Sequence, residues 1–227
     1  DVSINGLTVG RGAGNVSSNT AVGSGALNAN TTGSLNVATG KESLYNNTTG
    51  NNGVALGFEA LYSNTTGYSN FGLGVNALYS NTSGYNNTSV GTDSLRYNTT
   101  GFGNVALGTE ALTKNTTGRN LVAVGYRALD ANTTGNQNLA MGTDALGSNT
   151  TGVSNFGLGV NALASNTTGN NNVAIGADSL RSSTASSNVA IGTGSLRFNT
   201  TGGENTAIGT TALYSNTTAT QNTGIGY

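Results

Sequence analysis

Six acidic side chains of this chain share one register: Glu42, Glu59, Asp93, Glu110, Asp144 and Asp178 are separated by 17 residues or twice that. Two carboxylates held close together can divide the acid and base roles of glycoside hydrolysis, and several together can bind Ca²⁺. The same register also holds Gly25, Asn76, Arg127, Asn161, Gly194 and Thr211, so the acidic column is broken repeatedly. A solvated, charged edge that discourages sideways aggregation is the simpler reading. Histidine and cysteine are absent, which excludes histidine-dependent triads, thiol nucleophiles, His/Cys metal sites and disulfides. No catalytic, cofactor or metal-binding set is assigned, and an enzyme is not expected.

Aromatic residues keep the same spacing. Tyr45, Tyr62 and Tyr79 form one column, and Tyr68, Tyr85 and Phe102 form a second. Exposed aromatic strips can serve as platforms for sugar rings, which makes a cell-surface glycan a candidate partner. The alternative is that stacked rings brace neighbouring turns of the chain, as cross-strand aromatic pairs do. Asparagine supplies a third column at Asn30, Asn47, Asn64, Asn81, Asn98, Asn115, Asn132, Asn149, Asn166, Asn199 and Asn216, each opening an Asn-Thr-Thr or Asn-Thr-Ser triplet. These match the acceptor pattern for N-glycosylation. They also suit a structural ladder in which each amide bonds to the next, and that is the expectation adopted.

Such spacing demands a repeat. With Asn19 as position 1, units begin at 19, 36, 53, 70, 87, 104, 121, 138, 155, 172, 188 and 205, and only 172–187 is a residue short. Position 5 is glycine and position 9 leucine in all twelve units. Position 8 is always Ala or Ser, position 3 always Ala, Gly or Ser, and position 4 is apolar except at Thr39. Residues 1–18 are expected to form a cap or an irregular first turn, 19–221 the repeat array, and 222–227 the start of a further turn. The chain opens without methionine and stops part-way through a repeat, so a longer parent protein is expected, with any signal peptide out of view. Ser69–Leu78 also recurs unchanged 85 residues later, at Ser154–Leu163; block duplication accounts for it.

Seventeen residues are too few for a helical hairpin, and repeated glycine with β-branched residues points to short strands joined by tight turns. The predicted fold is all-β: a parallel β-solenoid of about twelve coils, stacked about 4.8 Å apart, in which no coil buries its own face alone. If positions 2 and 4 point inward, the small residues at position 3 face outward, as do those at position 8. Small outward columns imply close approach by another chain, and so an oligomer; the alternative is that both columns lie inside an unusually narrow coil. Glycine at position 15 is expected to supply the positive φ of a turn.

Lys and Arg number eight, with a net charge of −1 and 7% charged residues, so there is no basic face for nucleic acid. No apolar run reaches the ~20 residues of a membrane span, so membrane insertion of this segment is not expected.

Asn104-Val-Ala-Leu-Gly108, Asn172-Val-Ala-Ile-Gly176 and Asn188-Val-Ala-Ile-Gly192 resemble the rungs in the heads of trimeric autotransporter adhesins. The longer run Asn205 to Thr218 resembles the repeat arrays of phage tail-fibre proteins. The resemblance covers residues 19–227. It implies a left-handed coil, a homotrimer, a place on a virion or a cell surface, and a structural role in host attachment. The adhesin heads use shorter rungs than these 17-residue units, and no receptor-binding residue carries over. Two alternatives remain: a bacterial surface adhesin that binds glycan or matrix through its faces, and an ice-binding solenoid using the threonines of positions 13 and 14. Adjacent residues of a strand face opposite ways, which leaves at most one such threonine per coil on a face.

Overall fold

A computed structural model describes residues 2–5 and 7–227. The chain divides into two compact units, one ending at Thr117 and the other beginning at Gly118. In the first, β1 (Val2–Ile4) and β2 (Leu7–Gly10) form an antiparallel hairpin, and a single 3₁₀ turn follows at Ala13–Asn15. Then come β3 (Thr20–Val22), β4 (Val37–Thr39), β5 (Val54–Leu56), β6 (Phe71–Leu73), β7 (Thr88–Val90) and β8 (Val105–Leu107). β2 lies antiparallel to β3, with Val9 opposite Val22; every later pairing in this unit is parallel and joins consecutive strands.

The second unit holds β9 (Val122–Val124), β10 (Leu139–Met141), β11 (Phe156–Leu158), β12 (Val173–Ile175), β13 (Val189–Ile191), β14 (Thr206–Ile208) and β15 (Thr223–Ile225), again parallel and in order. Each strand pairs with the strand one repeat away in strict register, Ala38 opposite Ala55 and Ala174 opposite Ala190. The fold is thus an all-β parallel solenoid of about twelve coils.

The direction of the strand side chains corrects the expectation from sequence. Position 3 points inward: Ala21, Ala38, Ala55, Ala106, Ala123, Ala140, Ala174, Ala190 and Ala207 are all fully buried. Positions 2 and 4 point outward. The small residues at positions 3 and 8 therefore line a narrow interior, and they do not mark contact with another chain. The cause is space. A Cβ on Gly72 would already lie 3.5 Å from Leu61 of the preceding coil and 3.3 Å from the Ala77 carbonyl oxygen, so only Ala, Gly or Ser fits. Where serine is used its hydroxyl stays local: Ser43 Oγ donates to the Gly40 carbonyl at 3.0 Å and Ser89 Oγ to the Ser94 carbonyl at 2.8 Å.

Leucine at position 9 fills what space remains, and eleven of these side chains are essentially inaccessible, from Leu27 to Leu196. All twelve adopt φ between 46° and 55°, the left-handed region. That conformation costs about 1–2 kcal/mol in a non-glycine residue. Burying leucine returns about 1.5–3 kcal/mol, so the position-9 side chain holds its place despite the strain.

The two glycine columns serve different ends. At position 5, φ lies between 127° and 144°, and a Cβ on Gly91 would sit 2.6 Å from the Gly108 carbonyl. Position 15 does not have positive φ, contrary to expectation. A Cβ on Gly33 would instead lie 2.6 Å from Asn30 Oδ1 and 2.7 Å from Asn47 Nδ2. Glycine is required there so that the asparagines of adjacent coils can pass behind it.

Candidate functional site

The asparagine column at position 12 lies inside each corner. Asn47 Nδ2 donates to Asn30 Oδ1 at 2.9 Å, and Asn64, Asn81, Asn98 and Asn115 continue the run at 2.8 Å per step. In the second unit Asn149 donates to Asn132 and Asn166 to Asn149, each at 2.9 Å, and Asn216 donates to Asn199 at 2.9 Å. The second amide proton goes to the position-15 carbonyl of the same coil, as in Asn64 Nδ2 to Gly67 O at 3.0 Å. Position 1 makes a parallel arrangement, in which the Asn36 N–H donates to Asn19 Oδ1 at 2.9 Å and Asn36 Nδ2 to the Gly50 carbonyl at 2.8 Å. An amide so engaged and buried offers nothing to a glycosylating enzyme while the coil is folded.

Threonine at position 13 is also occupied. Thr31, Thr48 and Thr65 Oγ1 each donate to the position-13 carbonyl of the next coil at 2.9 Å. The position-14 row, with Thr32, Thr49 and Thr66 among its members, stands exposed, as do Thr31, Thr200 and Thr217 of position 13.

Both aromatic columns lie in the first unit and both are stacked. Tyr45, Tyr62 and Tyr79 have successive ring centroids 5.1 Å apart and planes within 7°. Tyr68, Tyr85 and Phe102 follow at 4.9 and 4.7 Å. Rings stacked along the coil axis cover one another's faces, so each column presents ring edges and hydroxyls outward. A sugar ring would find a free face only at a column's end. At the far end of the first column the Arg96 guanidinium lies 6.0 Å from the Tyr79 ring centre, at cation–π range.

The position-7 carboxylates flank this first column. The Tyr62 phenol is held above the usual tyrosine range, first by partial loss of hydration between its neighbours, then by Tyr79 and by the charges of Glu42 and Glu59. The six acidic residues of position 7 all adopt φ between 53° and 58°. Asp and Asn tolerate that region better than most residues, so the column is first a turn position. Asp93 pairs with Arg96 at 3.0 Å, and Asp178 with Arg181 and Arg197 at 3.5 Å. Among the described residues no group of three or more His, Cys, Asp or Glu could hold a metal ion.

What the sequence reading missed is the outward face of the strands. In the first unit it carries Val37, Val54, Phe71 and Val105 at position 2, beside Val22, Leu56, Leu73, Val90 and Leu107 at position 4. In the second it carries Val122, Leu139, Phe156, Val173 and Val189 beside Val124, Met141, Leu158, Ile175, Ile191 and Ile208. The apolar position-2 residues named are half-buried, while Leu73, Met141 and Ile208 remain 38%, 39% and 39% exposed. No charged residue enters either column. The signal was present in the sequence as two largely apolar columns, interrupted by Thr20, Thr39, Thr88 and Thr206 and separated by one small column; it was assigned to the wrong side. Contiguous apolar surface of this kind marks an interaction site far more often than scattered single residues do.

No helix among the described residues is long and apolar enough to cross a membrane. No protein-family model matches the sequence, and no curated protein is significantly similar to it.

Proposed function

We propose that this chain is a structural shaft segment of a homotrimeric extracellular fibre, a phage tail fibre or a similar surface fibre, supporting attachment to a host cell. The observation that carries the reading is the uncharged apolar strand face, which runs the length of each unit and needs a cover. The narrow interior supports it too: one leucine and a few small residues per coil make a thin core, and side-by-side association would add apolar burial. Three copies packed through these faces, each a left-handed coil, would match the fibre and adhesin repeats that the sequence resembles. Ladders of backbone and asparagine hydrogen bonds resist bending within a unit, and the coils carry no inserted loop that would form a separate lobe. The chain would hold an attachment tip away from the particle or cell.

The adhesin alternative keeps the same architecture and assigns glycan binding to its faces. One observation favours it: the ring edges and hydroxyls of Tyr45, Tyr62 and Tyr79 lie among carboxylates.

Light scattering on the purified chain tests the assembly. The expected mass is three times the 22.5 kDa of the chain. Leu56→Lys with Leu73→Lys is expected to give a folded monomer. A clean monomer of the unaltered chain would sink the trimeric reading.

A further inference from the structure

The single short coil, 172–187, disturbs the corner on both of its sides. In a regular corner the N–H groups of Thr31, Thr32 and Gly33 converge on the Thr48 carbonyl oxygen at 2.9, 3.2 and 3.2 Å. Toward the short coil no such convergence forms from Thr167, Thr168 and Gly169. Asn166 Oδ1 is buried there without a hydrogen-bond partner, because Ser183 stands where the next asparagine would donate.

On the other side the contracted corner leaves an open depression of about 450 Å³, edged by Ser186, Ser187, Thr201, Glu204, Thr220 and Gln221. Gly203 occupies the register that holds Tyr68, Tyr85 and Phe102 in earlier coils, so no side chain fills the space. The Glu204 carboxylate accepts a hydrogen bond from Gln221 Nε2 at 2.9 Å and stays exposed to the depression. No lysine or arginine lines it.

A volume of this size falls in the range of small-ligand sites, but this wall is unlike an ordinary apolar pocket. It offers hydroxyls, one amide and one carboxylate, with no aromatic ring and no large aliphatic side chain. Such a wall suits a polyol, whose many hydroxyls both donate and accept. The lone negative charge favours a ligand with a cationic group and opposes an acidic one. We propose that the depression binds one amino-sugar residue, a ring polyol carrying a primary ammonium. Glu204 accepts from the ammonium, while the serine and threonine hydroxyls and the Gln221 amide meet the ring hydroxyls. The site is separate from both aromatic columns and does not depend on the fibre reading.

Amide-resolved NMR of the full chain, titrated with glucosamine, glucose or glucuronic acid, tests this. Glucosamine is expected to give saturable shifts at Ser187, Glu204 and Gln221. Glucose should bind about two- to fivefold more weakly, the effect of one exposed ionic contact, and glucuronic acid should give no saturable shift. Glu204→Gln is expected to remove the preference for glucosamine over glucose. Thr220→Trp, at an exposed position, should fill the depression and abolish both titrations. The proposal is overturned if glucosamine gives no saturable shift, if glucuronic acid matches it, if the preference survives Glu204→Gln, or if binding survives Thr220→Trp.

Discussion

An asparagine side chain carries a donor and an acceptor on one planar group, so identical copies about one strand spacing apart can bond to each other without limit. That is why the position-12 column tolerates so little else. Asn81 Nδ2 donates to Asn64 Oδ1 at 2.8 Å and to the Gly84 carbonyl at 3.0 Å, and Asn98 donates back to Asn81 Oδ1 at 2.8 Å. Asn81→Asp keeps the shape and the acceptor but removes both donors, placing a buried carboxylate against two oxygens. A loss of about 3 kcal/mol is expected from chemical denaturation at neutral pH. Part of that loss should return at acidic pH, where the protonated carboxyl donates again; a stability unchanged by pH would contradict the ladder geometry. Tyr62 titrates in the opposite range. Its pKa is raised in the folded chain, so folded and unfolded chains bind the same proton below the ordinary phenol value of about 10. Above it the unfolded chain releases the proton first, and stability falls as pH rises through the folded value. Ultraviolet titration of the tyrosinate band should show one late-titrating phenol that is lost in Tyr62→Phe. The asparagine register was legible in the sequence because hydrogen bonding fixes both residue type and spacing. The rings' direction was not, since equal spacing allows them to lie flat on the surface or to stack along the axis.

At the scale of the coil, what repeats is a pattern of inward and outward positions, and only part of it could be read from residue types. Glycine at position 5 and leucine at position 9 announced the 17-residue coil, its strands and their parallel pairing. Orientation failed because apolar size was taken as the mark of the interior. In a coil this narrow the rule inverts: Ala21 and Ala38 are inside because they are small, and Val37 and Leu56 are outside because the interior has no room for them. Position-15 glycine misled in the same way, since close packing against Asn30 and Asn47 demands glycine as firmly as positive φ does. The short coil supplies a direct test of how much the corner contributes. Ser183→Asn and Ala185→Gly, with a threonine inserted between Thr184 and Ala185, rebuild the regular corner. The new asparagine would donate to the orphaned Asn166 Oδ1, and the missing carbonyl acceptor for Thr167 and Thr168 would be restored. The denaturation midpoint should rise, by about 1–3 kcal/mol in stability, and the depression that binds glucosamine should change shape. A midpoint that falls would mean that the contracted corner is already the better-packed one.

For the whole molecule, the scarcity of charge sets which solution conditions matter. Only 7% of residues are charged, and the ion pairs along the coil edges, such as Arg96 with Asp93, are partly exposed. Exposed pairs contribute about 0–1 kcal/mol each and are screened by salt. Cohesion rests instead on backbone bonds between coils, amide ladders, and apolar burial inside the coils and across the proposed strand-face contact. These respond differently to added salt. Moving from low to molar sodium chloride is expected to shift the denaturation midpoint only slightly. Molar sulfate, which strengthens apolar burial, should raise the midpoint and hold the assembled mass at lower protein concentration. Combining the salt series with Leu56→Lys and Leu73→Lys separates folding from association. The doubly substituted chain should keep the β-rich circular dichroism of the unaltered chain, remain monomeric in sodium chloride, and show a smaller response to sulfate. If molar sodium chloride alone dissociates the unaltered chain, charge pairs hold the copies together, and the apolar strand face is not the surface through which they meet.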